Sequence, residues 1–182
     1  KIFKGNLCNK EFLKEVFQFT KNANKKIDGV IHFAGLKSVS KSVINPLKYW
    51  SSNVLGTINL LSIMEEYDCN NIVFSSSATI YDRKDNFLLK ENSEVRPINP
   101  YGNTKFTIEL ILNDLFKSSP RCWKIAALRY FNPIGAHESG LIGECPIGVP
   151  NNIFPLITNT AIGLQKELSI YGNDWPTKDG TP

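Results

Sequence analysis

The sequence has few residues of the kinds that staple a fold or bind a metal. Its four cysteines, Cys8, Cys69, Cys122 and Cys145, form no C-x-x-C pair, and its two histidines lie at no metal-ligand spacing from them. Zinc sites need ligands at short regular spacings, and disulfide frameworks need far more cysteine. The sequence therefore argues against a metal site. Its cysteine content suits a reducing compartment, so we expect a cytoplasmic protein.

Long apolar runs and clusters of one charge are also missing. No apolar segment approaches the roughly 18 residues of a membrane span. The N-terminal stretch KIFKGNLCNKEF lacks the apolar core and cleavage site of a signal peptide. The net charge is +4, but no basic run exceeds two residues, whereas a nucleic-acid footprint needs basic residues concentrated on one face. We therefore expect neither a membrane nor a nucleic-acid partner.

A glycine-rich phosphate-binding turn is missing as well. A dinucleotide-binding fold begins with a strand and a turn such as G-x-x-G-x-x-G, which offers backbone N–H groups to a pyrophosphate. Nothing before Gly35 supplies this motif. We therefore expect a fold that is incomplete at its N-terminus, and we expect the 182 residues to be the central fragment of a longer protein.

Helix-like and strand-like segments alternate along the chain. Asn9 is placed to cap a first helix, Asn45-Pro46 opens a helix that continues to about Tyr67, and Pro100 opens another. The predicted strands are three continuous apolar runs: Gly29 to Phe33, NIVFSSS (71–77) and KIAALRYF (124–131). This alternation predicts an α/β fold, a doubly wound, Rossmann-like parallel sheet with helices on both faces. In such sheets ligands bind beyond the carboxyl ends of the strands.

The pattern of residues changes after Gly148. A short helix is predicted after Pro150-Asn151-Asn152, and ELSIYG (167–172) is typical of a short strand. We therefore predict two domains. Residues 1–148 are a partial dinucleotide-binding Rossmann domain, and residues 149–182 are the start of a smaller, incomplete substrate-binding lobe.

Tyr101 and Lys105 lie one helical turn apart in NPYGNTKF (99–106). Residues at i and i+4 share one face of a helix, and an ammonium beside a phenol lowers the phenol's pKa from its usual value of about 10. The pair is therefore a candidate general base for a hydroxyl that is being oxidised. An ordinary surface pair has the same spacing, so the order of the neighbouring segments is needed to favour a catalytic pair over a surface pair. Serines 75–77 end the strand before this helix, and RYFNPIGA (129–136) follows it.

Seven stretches together resemble one known family. They are VIHFAGLKSV, NVLGTINLL, FSSSATIY, NPYGNTK, LRYFNPIGAH, PNNIFPLI and YGNDWPTKDGT, in the family's order from about residue 5 to the C-terminus. With these motifs the chain resembles the UDP-glucose 4-epimerases (UDP-galactose 4-epimerases) of the extended short-chain dehydrogenase/reductase family. The serine motif, YFNPIGAH and PNN are more specific than the tyrosine–lysine pair, which the whole superfamily shares.

The resemblance implies NAD as cofactor and a UDP-sugar as substrate. The implied reaction is epimerisation at C4 of UDP-galactose or UDP-glucose, in which hydride passes to bound NAD and returns to the other face of a transient 4-keto sugar. We expect a homodimer for the full-length protein and no activity for the 182 residues alone. A UDP-glucuronate or UDP-N-acetylhexosamine 4-epimerase stays open as an alternative, as does a non-catalytic dinucleotide-binding fragment. A 4,6-dehydratase is disfavoured, because Ala78-Thr79 follows Ser77 where that enzyme has Asp-Glu.

The resemblance also implies roles for individual residues. The implied catalytic residues are Tyr101 as base, Lys105 as its partner on the nicotinamide ribose, and Ser77 on the sugar's 4-hydroxyl. The implied cofactor-binding residues are Asn6, Phe33, Ala34, Gly35, Lys37, Asn53, Ser75, Tyr101, Lys105 and Phe131. The implied substrate-binding residues are Ser77, Tyr101, Asn132, Asn152, Ile153, Ile170 and Tyr171.

The residues alone leave blander alternatives open. Phe33 and Phe131 are core aromatics in that case, Lys37 is a solvated loop lysine, and the asparagines are turn or cap residues. Asn6 stands where the family has an aspartate that contacts the adenine amino group, and its side-chain oxygen can still accept a hydrogen bond. His32 lies inside an apolar strand and is predicted to be a satisfied core residue rather than a catalyst.

Overall fold

The computed structural model describes residues 1–82, 88–118, 122–148, 150 and 152–181. The chain forms two compact units, Lys1–Phe131 and Asn132–Pro182. This division falls before the predicted domain boundary at residue 148. Compactness does not identify what each part binds, so the two functional domains stay a prediction.

The first unit is built on a three-stranded parallel sheet. Its strands are β1 (Val30–His32), β2 (Asn71–Ser77) and β3 (Lys124–Tyr130), in the order β1-β2-β3. The register sets His32 beside Phe74 and Ser77 beside Tyr130. The prediction of three parallel strands from the three apolar runs is thus confirmed.

Six α-helices are present in the described part of the chain. They are α1 (Lys10–Asn22), α2 (Val39–Ile44), α3 (Pro46–Tyr49), α4 (Gly56–Glu66), α5 (Pro100–Lys117) and α6 (Ile153–Ala161). A π-helical segment, Trp50–Leu55, joins α3 to α4, so the predicted long helix is one helical stretch with a local change of winding. Helix α2 was not predicted; Ser38 caps it by accepting from the Lys41 amide. No described helix has the length and apolar character that a bilayer crossing requires.

The apolar core lies between the helices and one face of the sheet. Leu13 and Phe17 of α1 pack in a single cluster with side chains of α4, α5 and β2. Ile63, Met64, Phe74, Ile108 and Leu112 are its most buried large members. Burying such side chains stabilises the fold by roughly 2 kcal/mol each, so this cluster holds α5 against the sheet.

The predicted α/β, Rossmann-like parallel sheet is confirmed, and within the described residues its helices cover one face while the other face is open. Ile31 is 68% exposed, and Leu128 on the same face is also exposed. The cause is topological. Right-handed crossovers that step in one direction, from β1 to β2 to β3, place all their helices on one side. A second layer requires a strand beyond the free edge of β1.

The prediction of a strand at ELSIYG is wrong. Residues 167–172 form no regular strand, because a strand needs a partner for its backbone hydrogen bonds. The described part of the second unit contains no other strand to supply one. The predicted helix after Pro150 is confirmed as α6, which begins at Ile153.

Gly102 sets how closely α5 approaches the turn that follows β2. A Cβ at this position would lie 2.8 Å from the Thr79 carbonyl oxygen and 3.0 Å from Pro97 Cβ. Alanine normally stabilises a helix interior by about 1 kcal/mol over glycine. Here we expect Gly102→Ala instead to lower the free energy of unfolding by about 1–3 kcal/mol through overpacking. Chemical denaturation measures the change, with Asn113→Ala on the exposed face of α5 as control. An alanine variant at least as stable as the parent would contradict this.

Candidate active site

Tyr101 and Lys105 are buried on the first turns of α5. Asn99 caps this helix by accepting from the Gly102 amide at 2.8 Å, and Pro100 occupies its first position. Tyr101 is 9% exposed and Lys105 is 5% exposed. The alternative of an ordinary surface pair is therefore wrong, because lysine is almost never this buried without a specific partner.

The ammonium of Lys105 reaches the end of β2. Its Nζ donates to the Ser75 carbonyl oxygen at 2.6 Å. It also lies 4.8 Å from the centroid of the Phe74 ring and 5.8 Å from that of Tyr101. Burial lowers the pKa of Lys105 to about 8. The side chain therefore ties α5 to the strand end and places a cation beside the phenol ring.

Ser77 lies against the same phenol. Its Oγ accepts from the Thr79 amide at 3.2 Å and from Thr79 Oγ1 at 3.0 Å. With two bonds accepted, the Ser77 proton is free to be donated, and a hydrogen bond from Ser77 favours the ionised form of Tyr101. The structure thus brings together the three residues that the sequence analysis placed in catalysis.

The predicted lowering of the Tyr101 pKa is wrong for this chain. Burial raises the pKa above its ordinary value, the Ser77 hydrogen bond lowers it by less, and Tyr49 adds a small rise. Desolvation disfavours the phenolate, and the Lys105 ammonium lies 5.8 Å from the centroid of the Tyr101 ring. Tyr101 is therefore a neutral phenol at neutral pH until a further positive charge enters the site.

The segment after β1 is exposed and edges this cluster. Phe33, Ala34, Gly35 and Lys37 are all exposed, Phe33 by 64%. The Phe33 ring stacks on Tyr130 with centroids 6.3 Å apart. The alternative that Phe33 packs in the core is therefore wrong. The exposure of Lys37 agrees both with a cofactor-binding residue and with a solvated loop lysine.

Phe131 has the same character at the end of β3. It is exposed, and its ring stacks on Tyr81 with centroids 6.4 Å apart. Two exposed phenylalanines, each stacked on a tyrosine, thus lie directly after β1 and β3. Exposed flat rings are suited to a ligand that carries a ring of its own.

Asn53 hydrogen-bonds the backbone of the segment after β1. It is buried in the π-helical segment, where its Oδ1 accepts from the Leu36 amide at 2.8 Å. Its Nδ2 donates to the Leu36 carbonyl at 3.0 Å and to Thr104 Oγ1 at 3.2 Å. A Cβ at Gly35 would lie 3.2 Å from the same Oδ1. Asn53 therefore shapes the predicted cofactor loop, and its direct contact with a cofactor stays a prediction.

Asn6 is exposed ahead of α1. Its Oδ1 accepts from the Cys8 amide at 3.0 Å, and its carbonyl accepts from the Asn9 amide at 2.9 Å. One lone pair of Oδ1 and the side-chain N–H groups are left over. The contact with adenine that the resemblance implies stays a prediction.

The remaining predicted substrate residues belong to the second unit. Asn132 is its first residue, and Asn152 precedes α6 and donates through Nδ2 to Glu144 Oε1 at 3.3 Å. Ile153, Ile170 and Tyr171 are exposed. Their roles toward a UDP-sugar stay predictions.

Sequence reasoning missed the polar residues that surround the cluster. They are Thr104, which donates to the Tyr101 carbonyl at 2.7 Å, and the group Ser76, Glu109 and Arg129. One signal was available for Glu109, because it follows Lys105 by four residues on α5. Arg129 carried no such signal, since only the register of β3 brings it to Ser76.

A parallel α/β sheet with serine, tyrosine and lysine clustered at the carboxyl end of a strand defines a dehydrogenase/reductase type of fold and site. The model of the GDP-mannose 4,6 dehydratase family matches residues 1–182, and the chain belongs to that family. Among curated relatives, the bifunctional UDP-glucose 4-epimerase and UDP-xylose 4-epimerase 1 of Pisum sativum is 48% identical over 177 residues. These are 97% of this chain and 49% of that protein.

Two solved structures also match nearly the whole chain. The UDP-glucose 4-epimerase of Stenotrophomonas maltophila, with bound NAD and formylated UDP-arabinopyranose, matches with a TM-score of 0.88 and 41% identity. That of Bifidobacterium longum, in complex with NAD+ and UDP, matches with a TM-score of 0.88 and 42% identity. Each match covers 98% of this chain and 52% of the other. The chain thus spans about half the length of these relatives.

Proposed function

We propose that the complete protein epimerises a UDP-hexose at C4, interconverting UDP-galactose and UDP-glucose with NAD as its bound cofactor. The observation that carries this proposal is the convergence of Tyr101, Lys105 and Ser77 at the carboxyl end of β2. The names of the relatives in pea and of the two crystallised enzymes support the substrate class and the cofactor.

The residues present fit part of a nicotinamide cofactor. Lys105 has three N–H donors and the Ser75 carbonyl takes one, which leaves donors for ribose hydroxyls. The exposed segment 33–37, braced by Asn53, would line the cofactor on the side of β1. NAD, when bound, supplies the acceptor and then the donor of the hydride at C4. The positive charge of the oxidised nicotinamide ring would also favour the phenolate, which burial disfavours in the chain by itself.

The chain's own residues move and hold the proton. As a phenolate, the Tyr101 oxygen would take the proton of the sugar's 4-hydroxyl and later return it from the same position. When a sugar is bound, Ser77 can donate its proton to the same sugar oxygen instead of to Tyr101, because both of its acceptor positions are taken by Thr79. Lys105 keeps a positive charge beside the phenol ring throughout.

The residues after Ser77 favour epimerisation over dehydration. Removal of water from a sugar needs an acid–base pair of side chains in addition to the oxidising tyrosine. Here Ala78 and Thr79 follow Ser77, and the Thr79 hydroxyl donates to Ser77 Oγ. Neither side chain can act as a carboxylic acid, so the family's dehydratase name does not give the activity of this member.

We also infer the setting in which the protein works. The complete protein is a cytoplasmic homodimer without a nucleic-acid or membrane partner, and the 182 residues alone are inactive. The exposed apolar face of the sheet supports the inactivity, because Ile31 and Leu128 are left in water when nothing covers them.

Incubation of the complete protein with NAD and UDP-galactose tests the proposal, with the sugar products separated by chromatography. We expect UDP-glucose to accumulate to an equilibrium mixture that is also reached from UDP-glucose. Parallel incubations with UDP-N-acetylgalactosamine and UDP-glucuronate measure the substrate range. Conversion of neither UDP-galactose nor UDP-glucose would refute the proposal, and a 4-keto-6-deoxy product would identify a dehydratase instead.

A further inference from the structure

A half-buried ion pair joins α5 to the ends of β2 and β3. Arg129 donates to both carboxylate oxygens of Glu109, through Nε at 3.1 and 3.2 Å and through a terminal nitrogen at 2.8 Å. Ser76, which lies beside Arg129 in the register, donates its hydroxyl to Glu109 Oε1 at 2.5 Å. Two neighbouring strands thus hold one carboxylate of the helix.

These residues are next to the proposed catalytic residues in the chain. Glu109 follows Lys105 by one helical turn and Tyr101 by two, so all three share a face of α5. Ser76 lies between Ser77 and the serine whose carbonyl accepts from Lys105. Any change in the distance from Ser76 to Glu109 therefore changes how the catalytic face of α5 meets the strand end.

The remaining side of Arg129 holds the segment that follows β2. Its second terminal nitrogen donates to Tyr81 Oη at 3.0 Å and to the Glu91 carbonyl at 2.8 Å. The guanidinium lies 5.0 Å from the centroid of the Tyr81 ring. Planar, many-donor geometry of this kind is what arginine provides and lysine does not. Arg129 therefore fixes both flanks of Ser77, the helix on one side and the Tyr81 segment on the other.

We propose that Ser76, Glu109 and Arg129 are positioning residues that set the contact between Tyr101 and Ser77. This inference rests on the proposed function. None of the three needs to touch the sugar or the cofactor, because they act through the placement of α5 on the end of β2. We call these three residues the clamp. Misplacement of reacting groups by 1 Å can cost roughly 100-fold in rate, so loosening the clamp lowers the rate of chemistry more than the affinity for substrate.

Ser76→Ala is the sharpest test, because it removes one hydroxyl and leaves the Arg129–Glu109 pair intact. In the complete protein with NAD we expect kcat for UDP-galactose to fall about 10-fold, with KM changed less than about twofold, as misplacement rather than lost binding predicts. Ser76→Thr keeps a hydroxyl and is expected to retain more than half of kcat. A Ser76→Ala protein with the parent's kcat overturns the proposal.

A second variant and a control separate positioning from general loss of stability. Glu109→Gln is expected to lower kcat further, and the Ser76→Ala/Glu109→Gln double variant no further than Glu109→Gln alone, because the residues act as one unit. Leu60→Ala, in the core cluster, lowers the melting temperature but is expected to keep the parent's kcat. A fall in kcat for Leu60→Ala equal to that of Ser76→Ala overturns the proposal.

The activity of the parent protein tests the proposed function. The comparison of the variants with the parent tests this inference. If the parent epimerises no sugar, amide hydrogen exchange still tests the clamp. We expect exchange at residues 75–79 to be faster in Ser76→Ala than in the parent, with exchange in α1 unchanged. Equal exchange at residues 75–79 in both proteins overturns the inference, whatever the activity.

Discussion

Tyr101→Phe is expected to lower kcat of the complete protein by roughly 100-fold to 10,000-fold, the range for loss of a general base. The variant removes the oxygen that we propose as the acceptor of the sugar's 4-hydroxyl proton. Tyr101 is buried beside Ser77 and Lys105. The rate is measured as conversion of UDP-galactose in the presence of saturating NAD.

The effect on the fold should be small. The Tyr101 phenol is not needed for the helix cap or for the bond of its backbone amide to Ser42 Oγ at 3.2 Å. Tyr67→Phe is the matched control, because it removes a phenolic hydroxyl that donates to Gln18 far from the site, and it should keep the parent's kcat. Full activity in Tyr101→Phe would show that another group is the base.

Strands and long helices could be predicted because their signals are local. The apolar run of β2 ends in three serines, and Asn99-Pro100 marks the start of α5. Helix α2 was missed because its 6 residues are too few to show a periodicity. The segment 167–172 failed for the opposite reason, since a strand-like composition does not supply a partner strand.

The residues of the candidate site could be predicted from the sequence, but the direction of the Tyr101 pKa shift could not. Spacing alone places Tyr101 and Lys105 on one face of a helix, and the serine motif places Ser77 at a strand end. The direction of the Tyr101 pKa shift depends on burial, which arises from packing of the whole unit and outweighs the Ser77 hydrogen bond. The clamp of Ser76, Glu109 and Arg129 depends on the register of β3, which no local pattern specifies.

His32 is expected to make the protein sensitive to acid. It is 3% exposed on β1, and its Nε2 lies 2.8 Å from Thr57 Oγ1. Because Thr57 Oγ1 donates to the Asn53 carbonyl at 2.6 Å, it must accept from His32, so Nε2 carries the ring's proton. Burial, and then the charge of Lys105, lower the pKa of His32 to about 4. The ring is therefore neutral in the folded protein at neutral pH.

The direction of the pH effect follows from proton linkage. An unfolded histidine titrates at about 6.5, above the folded pKa of about 4, so the unfolded chain binds a proton between these values that the folded chain does not. Stability contributed by His32 is complete above pH 6.5 and is lost as the pH falls toward 4. The loss from this one group is about 3 kcal/mol over that window.

Substitution isolates this contribution from the carboxylates that titrate in the same range. His32→Gln keeps a donor for Thr57 but does not titrate, so its free energy of unfolding should fall between pH 6.5 and pH 4 by about 3 kcal/mol less than that of the parent. Denaturant melts at a series of pH values measure both curves. His137→Gln, which replaces the exposed histidine, is the matched control. Parallel curves for His32→Gln and the parent would mean that His32 is not buried in its neutral form, because linkage then requires equal proton uptake on unfolding.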